Sequence, residues 1–356
     1  MSAPVLILAG GTGGHIFPGL AVAQELLARQ VPVVWLGAEG AMETRLVPAA
    51  GIALHTLPVS SLRGAGLRRR LLAPLMLARA LIRALALIRR LQPRSVLSFG
   101  GFAAGPGGVA AWLLRRPLLV HESNRAPGLT NRWLARLARR RLVGFPGTFV
   151  GRKEVLVGNP VRAEIAALAP PAQRFAGRSG ALRLLVIGGS QGARALNQHL
   201  PEALRSSGIC CEIRHQTGTR DLHSTALRYT DAGLVARTDA FIADMPEAYT
   251  WADLLVCRAG ASTLAELCAV GLPALLVPLP TAADDHQSRN ADYLVEHGAA
   301  LKAVEGEGFC DRLAQALSAL ASDPALRRRM ADAARALALP DAAAQVAALC
   351  LEEARA

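Results

Sequence analysis

Short apolar runs ending in glycine or turn residues alternate, along the first half of the chain, with longer stretches of helical spacing. The runs are VLILAGG from Val5, VVWLG from Val33, VLSFGG from Val96, LLVHES from Leu118 and VLVGNP from Val155. That rhythm predicts βαβ units on a parallel sheet. A second series begins at Leu182 with RLLVIGGS and runs through CEIRHQTG, GLVARTDA, ADLLVCRAG and PALLVPLP. The rhythm restarts rather than continues. Its echo is internal: a strand followed by GGTGGH at 10–15, and a strand followed by GGSQGAR at 188–194, each opening a helix.

Two Rossmann-like units are therefore expected, over 1–160 and 161–340, joined by a Pro- and Gly-bearing linker near 160–180. Residues 310–354 read as Ala/Leu/Arg helices, the last of which, within 341–356, is expected to pack back on the first unit. The class is α/β. Ligands of open parallel sheets bind at the carboxyl ends of the strands, so the two sheets are expected to face each other across a deep cleft lined by their loops.

A chain of 356 residues exceeds one usual core, which agrees with two domains. The net charge of +13 suggests an anionic partner, and its distribution narrows the choice. Residues 1–160 carry 21 Lys and Arg against 5 Glu, whereas the remainder carries 19 against 22 acids, so the first half is the basic one. Aromatic residues are only 4% and never interleave with the basic ones, which disfavours nucleic acid. Lipid head groups and phosphorylated ligands remain. The six cysteines lie in the second half without a CxxC pair or a Cys/His ligand spacing, and read as reduced structural thiols. No secretion signal is expected from a start that runs directly into a strand. The apolar stretch 71–91 is interrupted by Arg79, Arg83, Arg89 and Arg90. At about 2.5 to 3.5 kcal/mol for each arginine at a bilayer centre, it should not span a membrane.

The chemistry is sought in the loops. GGTGGHIFP turns backbone N–H groups and a positive helix end toward an anion or a sugar hydroxyl. It is not GxGxxG, and no clear acid closes the second strand, so an NAD site is disfavoured. His15 is either a general base, since imidazole titrates near neutrality, or a helix-start histidine making structural hydrogen bonds. GGSQGAR offers Ser190 and Gln191 to a diphosphate, or is a tight turn whose glycines serve packing. In CRAGASTLAEL, Ser262 and Thr263 start a helix and Glu266 follows one turn in, placed to accept from a ribose diol or to satisfy the helix dipole.

His121, Glu122 and Asn124 follow the strand from Leu118, where an acceptor is held. Glu122 is a second candidate base, or the partner of Arg125 or Arg132 in a salt bridge. DDHQSRN at 284–290 delivers Gln287 and Asn290 as polar sugar readers. Asp284 and Asp285 alone identify no metal site. At 100° per residue, Arg79, Arg83 and Arg90 fall within about 40° of one another, with Leu77, Leu81, Leu85 and Ile88 opposite. This cationic face, flanked by Leu75, Met76, Ile82 and Leu87, is an interfacial helix or a solvated arginine face, and Arg68, Arg69 and Arg70 at the start of the same stretch add to its membrane-associating charge.

Together, GGTGGHIFPGLAVA, SFGGFAAGPGG, HESNRAPGLTNRWLA, VGNPVR, GGSQGAR, CRAGASTLAEL and DDHQSRNA resemble, in order and over nearly the full length, the MurG family. These are the UDP-N-acetylglucosamine-dependent transferases of bacterial peptidoglycan synthesis, with the GT-B fold. The resemblance implies transfer of N-acetylglucosamine from its UDP donor to the 4-hydroxyl of N-acetylmuramoyl-pentapeptide on undecaprenyl diphosphate, lipid I becoming lipid II with anomeric inversion. It implies a peripheral protein on the cytoplasmic face of the inner membrane, acting on an anionic surface in cell-wall growth, shape and division, with no cofactor indicated, although a divalent cation could accompany the diphosphate.

By motif position Thr12, Gly13 and Gly14 touch donor and acceptor, and Asn124 and Arg162 contact the donor. Ser190 and Gln191 resemble the diphosphate loop, and Ile242 is similar to the uracil-binding backbone position. Ala261, Ser262, Thr263, Leu264, Ala265 and Glu266 carry over as the ribose and diphosphate segment, and Gln287 as a reader of sugar hydroxyls. Two departures touch the acceptor side: Phe102 stands where the family commonly has tyrosine, and Ser123 where it has an amide. The same architecture also serves a UDP-N-acetylglucosamine 2-epimerase or a non-catalytic nucleotide-sugar-binding subunit. The cationic helix argues against the first, and the presence of both halves in one chain against the second.

Overall fold

The computed structural model describes residues 3–59, 67–189 and 192–354. Ser190 and Gln191, expected at the diphosphate, and the side chains of Arg68, Arg69 and Arg70 lie outside the described residues. The chain divides into two compact units, Met1–Arg162 with Leu339–Ala356, and Ala163–Ala338.

The first unit is built on seven parallel strands: β1 (Val5–Ala9), β2 (Val33–Ala38), β3 (Ala53–Leu57), β4 (Ser95–Gly100), β5 (Leu118–Glu122), β6 (Arg140–Val143) and β7 (Val155–Leu156). Their order is β3-β2-β1-β4-β5-β6-β7. Successive side chains of a strand point to opposite faces, and β1 shows the consequence. Leu6 and Leu8 enter one core with Ala80, Ala84, Ala104 and Ala111. Val5, Ile7 and Ala9 enter the other with Ile16, Val22 and Leu26 of the helix Gly13–Ala28. The helix Ala342–Glu353 closes that second core with Val346, Ala347 and Cys350. Glu353 is held beside it by Arg140 at 2.5 Å and Arg139 at 3.4 Å.

The second unit has six parallel strands: β8 (Leu182–Ile187), β9 (Cys211–Gln216), β10 (Ala236–Asp239), β11 (Leu254–Cys257), β12 (Ala274–Leu276) and β13 (Ala300–Lys302), ordered β10-β9-β8-β11-β12-β13. The segment read as a linker belongs to this unit. It holds the short helices Ala163–Ala166 and Pro171–Arg174. The buried Arg174 guanidinium donates to the carbonyls of Ala169, Tyr249, Val270 and Gly271 at 2.7 to 3.4 Å. Four carbonyls from three segments are thereby satisfied by one side chain, and burial lowers its pKa to about 10.

Both sheets reverse their winding between the first and fourth strands, β1/β4 and β8/β11. A doubly wound sheet opens its ligand crevice at that point, outside the carboxyl ends of the strands.

The long helix Leu67–Leu91 carries the arginine face, and one part of the expected packing face is different. Ile88 is buried, and Leu81 and Leu85 are half-buried, but Leu77 is 48% exposed. The buried line runs instead through Ala73, Ala80, Ala84 and Ile88, because small side chains let the helix approach the helix Ala104–Leu113 and the sheet. Arg79, Arg83, Arg89 and Arg90 are exposed, as are Leu75 and Ile82. Arg83 lies 3.6 Å from Glu39, an exposed pair of little energetic consequence. Among the described residues no helix is long and apolar enough to cross a membrane.

Candidate active site

In the first unit the crevice is made by the turns after β1, β4 and β5. Gly11, Gly100 and Gly101 have φ of +88°, +106° and +95°, which L side chains rarely adopt. A Cβ on Gly101 would stand 2.4 Å from the Gly10 carbonyl oxygen, so the two turns are in backbone contact. The helix Gly13–Ala28 starts from Thr12 with no acid in its first turn, leaving its positive end uncompensated. Thr12 and Gly14 are exposed and Gly13 is half-buried, so this backbone is open to a ligand.

His15 is half-buried one residue further on, and its Nδ1 lies 3.0 Å from the Gly10 carbonyl oxygen. A carbonyl only accepts, so Nδ1 carries the hydrogen, and the neutral ring presents a lone pair at Nε2. A Cβ on Gly100 would lie 3.3 Å from this Nε2 and 3.3 Å from Nδ2 of Asn131. The basic nitrogen is thus set at the carboxyl end of β4, beside the end of β5.

Glu122, expected as an alternative base, is buried and accepts four hydrogen bonds. Oε1 receives the backbone N–H and side-chain amide of Asn124, at 3.0 and 3.2 Å. Oε2 receives the Gly128 N–H at 3.1 Å and the Asn131 amide at 3.0 Å. The carboxylate therefore organises residues 124–131, with Asn124 half-buried at the site side of the turn. Asn131, which sequence reasoning passed over, also donates to the His121 carbonyl at 3.0 Å and accepts from Ser98 at 3.3 Å, so it ties β4 to β5. Phe102, in the place of the family's tyrosine, is exposed.

His121 is inside the fold. Its Nε2 donates to the Gly158 carbonyl at 2.9 Å, and Asn159 donates to the Ser123 carbonyl at 2.9 Å. These bonds attach the VGNPVR segment, which ends in the half-buried Arg162, to the HESN turn. Burial pushes His121 down to about 4. In the second unit it pushes His215, bonded to the Tyr229 hydroxyl at 3.0 Å, to about 3.

In the unfolded chain both histidines titrate near the ordinary value of about 6.5 and take up protons that the folded forms refuse. Stability is therefore fully present above about pH 6.5 and falls with pH down to the folded values. Acidification from about pH 7.5 to pH 5 is expected to cost about 2 kcal/mol per histidine. The denaturant midpoint reads this directly; a midpoint flat over that interval would mean that the folded protein protonates both rings.

The second crevice lies between the turns after β8 and β11. Gly189 and Gly192 have φ of +76° and +77°, and a Cβ on Gly192 would stand 2.2 Å from the Thr217 carbonyl oxygen. The helices Arg194–Ser207 and Ala261–Val270 start from these turns without an acid in the first turn, which suits a diphosphate. Asn197 fixes the first of them to the β9 loop, donating to Thr217 at 2.9 Å and Asp221 at 3.0 Å.

At the second helix Ala261 and Leu264 are buried and offer only backbone, while Ser262, Thr263, Ala265 and Glu266 are half-buried. Glu266 accepts from the Tyr249 hydroxyl at 2.9 Å, which orients its carboxylate. Ile242 has a buried side chain, so only its backbone is offered to a ligand there. Gln287 is half-buried and accepts from the Leu279 N–H at 3.0 Å. Asn290, expected as a second reader, is instead fully buried and donates to the Ala259 carbonyl at 3.2 Å, holding the Arg258–Gly260 turn from behind.

One unit thus offers a tautomer-fixed imidazole and the other two uncompensated helix starts, each at the switch point of its own sheet. Two doubly wound units of this kind in one chain are the GT-B architecture, which glycosyltransferases share with sugar-nucleotide epimerases, and the family match decides between the two. Family models described as the glycosyltransferase family 28 N-terminal domain and the glycosyltransferase family 28 C-terminal domain match residues 5–143 and 183–346, and the chain belongs to glycosyltransferase family 28.

A protein of Xanthomonas axonopodis pv. citri (strain 306) is 60% identical over 352 residues, covering 99% of this chain and 82% of its own. It bears the name UDP-N-acetylglucosamine--N-acetylmuramyl-(pentapeptide) pyrophosphoryl-undecaprenol N-acetylglucosamine transferase. A protein of the same name from Xylella fastidiosa (strain M12) is 58% identical, covering 98% of this chain and 96% of its own. Among solved structures, the crystal structure of MurG from Acinetobacter baumannii is similar at a TM-score of 0.87 and 35% identity, covering 99% of this chain and all of that one.

Proposed function

We propose that the chain transfers N-acetylglucosamine from UDP-N-acetylglucosamine to the 4-hydroxyl of N-acetylmuramoyl-pentapeptide carried on undecaprenyl diphosphate, the step that makes lipid II from lipid I in peptidoglycan synthesis. The geometry that carries this reading is His15, whose Nε2 lone pair is set at the mouth of the first sheet. Nε2 takes the acceptor hydroxyl's proton as its oxygen attacks the anomeric carbon on the face opposite UDP, which inverts that centre. The departing diphosphate is held by the N–H groups that open the helices Arg194–Ser207 and Ala261–Val270, with Ser190 and Gln191 preceding the first of them in the sequence.

Glu266 takes the ribose hydroxyls, Ile242 the uracil through its backbone, and Gln287 the sugar hydroxyls. Thr12, Gly13 and Gly14 touch donor and acceptor, and Asn124 and Arg162 contact the donor. Glu122 acts as a positioning residue, and no cofactor enters the scheme. Radiolabelled UDP-N-acetylglucosamine and a lipid I analogue, incubated with the purified protein, are expected to give a labelled disaccharide lipid; no such product overturns the reading.

The enzyme works peripherally on the cytoplasmic face of the inner membrane, where its acceptor is anchored. Support comes from the helix Leu67–Leu91, which exposes Leu75 and Ile82 beside Arg79, Arg83 and Arg90. With each basic residue near an anionic leaflet contributing about 1 kcal/mol, changing these three to Glu should weaken binding to anionic vesicles about 10²-fold or more. Cosedimentation measures this, and unchanged binding removes the anchoring role.

A further inference from the structure

The peptide group joining Gly10 to Gly11 is hydrogen-bonded by a side chain at each end. Its N–H, on Gly11, donates to Oε2 of Glu43 at 3.1 Å, and its carbonyl, on Gly10, accepts Nδ1–H of His15 at 3.0 Å. The other oxygen of Glu43 accepts the Ala38 N–H at 2.8 Å, which fixes the carboxylate to the end of β2. Glu43 is fully buried, and glycines make the space for this arrangement. A Cβ on Gly10 would lie 2.1 Å from Glu43 Oε1, one on Gly37 2.5 Å from Glu43 Cγ, and one on Gly101 2.4 Å from the Gly10 oxygen. In dinucleotide-binding sheets an acid at the end of the second strand reads a ribose. Here Glu43, five residues beyond β2, is turned inward, and both its oxygens are engaged by backbone.

We propose that Glu43 is a positioning residue for His15, acting through the Gly10–Gly11 peptide; this rests on His15 being the base. A carboxylate accepting from one end of a peptide polarises it, so the carbonyl at the other end binds its donor more strongly. The stronger bond pins the imidazole with hydrogen on Nδ1 and the lone pair on Nε2. As the hydroxyl proton moves to Nε2, the hydroxyl oxygen bonds to the anomeric carbon, and the bond from that carbon to the diphosphate breaks with its electron pair leaving on UDP. The ring is then an imidazolium, and its bond to the Gly10 carbonyl becomes charge-assisted. Glu43 keeps its charge and Nδ1 its proton throughout.

A carboxylate that only stapled the loop would make the same bonds, so the test is a cycle of four enzymes: wild type, Glu43→Gln, His15→Ala and the double variant. Glu43→Gln is expected to lower kcat about 10- to 10²-fold with the donor KM within about twofold, and to cost less than about twofold when His15 is already alanine. An equal loss in both backgrounds overturns the relay and leaves His15 as the base. A His15→Ala enzyme with near-normal kcat overturns the base reading itself. The wild-type enzyme supplies a measurement that needs no Glu43 variant. With ¹⁵N-labelled histidine, and the His15 signals identified by their loss in His15→Ala, the neutral ring is expected as the Nδ1–H tautomer. The Nε2–H tautomer overturns the proposal.

Discussion

Replacing His15 by alanine should cut turnover about 10²- to 10⁴-fold, the range for removing a positioned general base. The fold should survive, because His15 is only half-buried and the bond from its ring to the Gly10 carbonyl can pass to water. The effect belongs in kcat and in kcat/KM alike, since proton transfer occurs only on the way to the transition state. The donor KM should hardly move, because no donor contact is assigned to the His15 side chain itself. Steady-state kinetics at saturating donor decide the matter. A variant within a few-fold of wild type would take the base role away from His15, and Glu122, with four donors already on its carboxylate, is poorly placed to inherit it.

Glu122→Ala is expected to damage both stability and turnover. The substitution removes the carboxylate that accepts from the Asn124 and Gly128 N–H groups and from the amides of Asn124 and Asn131, although Asn131 keeps its bond to the His121 carbonyl. A hydrogen bond to a charged group contributes about 1.5 to 3 kcal/mol, so losing four of them, with water replacing those at the exposed Gly128 and the half-buried Asn124, costs about 3 kcal/mol. For a unit of this size that corresponds to roughly 6 to 12 °C in the melting midpoint. Turnover should fall about 10²-fold or more, because displacing a site by an ångström costs that much and the 124–131 turn flanks Nε2 of His15. The pH dependence of the residual activity should keep its shape, since the group removed carries no proton in the reaction. A changed acid limb with an unaltered melting midpoint would instead make Glu122 a titrating participant.

Much of the architecture was legible because it is written in local periodicity. Strands buried on both faces appear as unbroken apolar runs, and a strand that turns into a helix around a bound ligand needs glycine, as at Gly11, Gly101, Gly189 and Gly192. The helix Leu67–Leu91 shows the limit of that reading. A projection at 100° per residue separates faces correctly, but ranking by hydrophobicity put Leu77 inside, whereas close approach of two helices selects Ala73, Ala80 and Ala84. The projection holds no information about how near the neighbouring helix comes.

The site divides the same way. His15 was legible because it follows a glycine turn at the start of a helix, a local arrangement. Glu43 and Asn131 were passed over, although Glu43 is one of only five acids in the basic half, with Gly10 and Gly37 the small residues that admit it. Each acquires its meaning from a partner that only folding supplies: Glu43 meets Gly11 across 32 residues, and Asn131 meets Ser98 across 33. By itself the amino-acid order determined the succession of strands, glycine turns and helices, and therefore the ends of the sheets at which chemistry takes place. Tertiary structure alone decided which polar side chains there face a ligand and which, like Glu43, Glu122 and Asn290, turn inward. Periodicity is a property of neighbouring residues, whereas a buried carboxylate or amide is directed by donors and acceptors on strands that meet only when the sheet has formed.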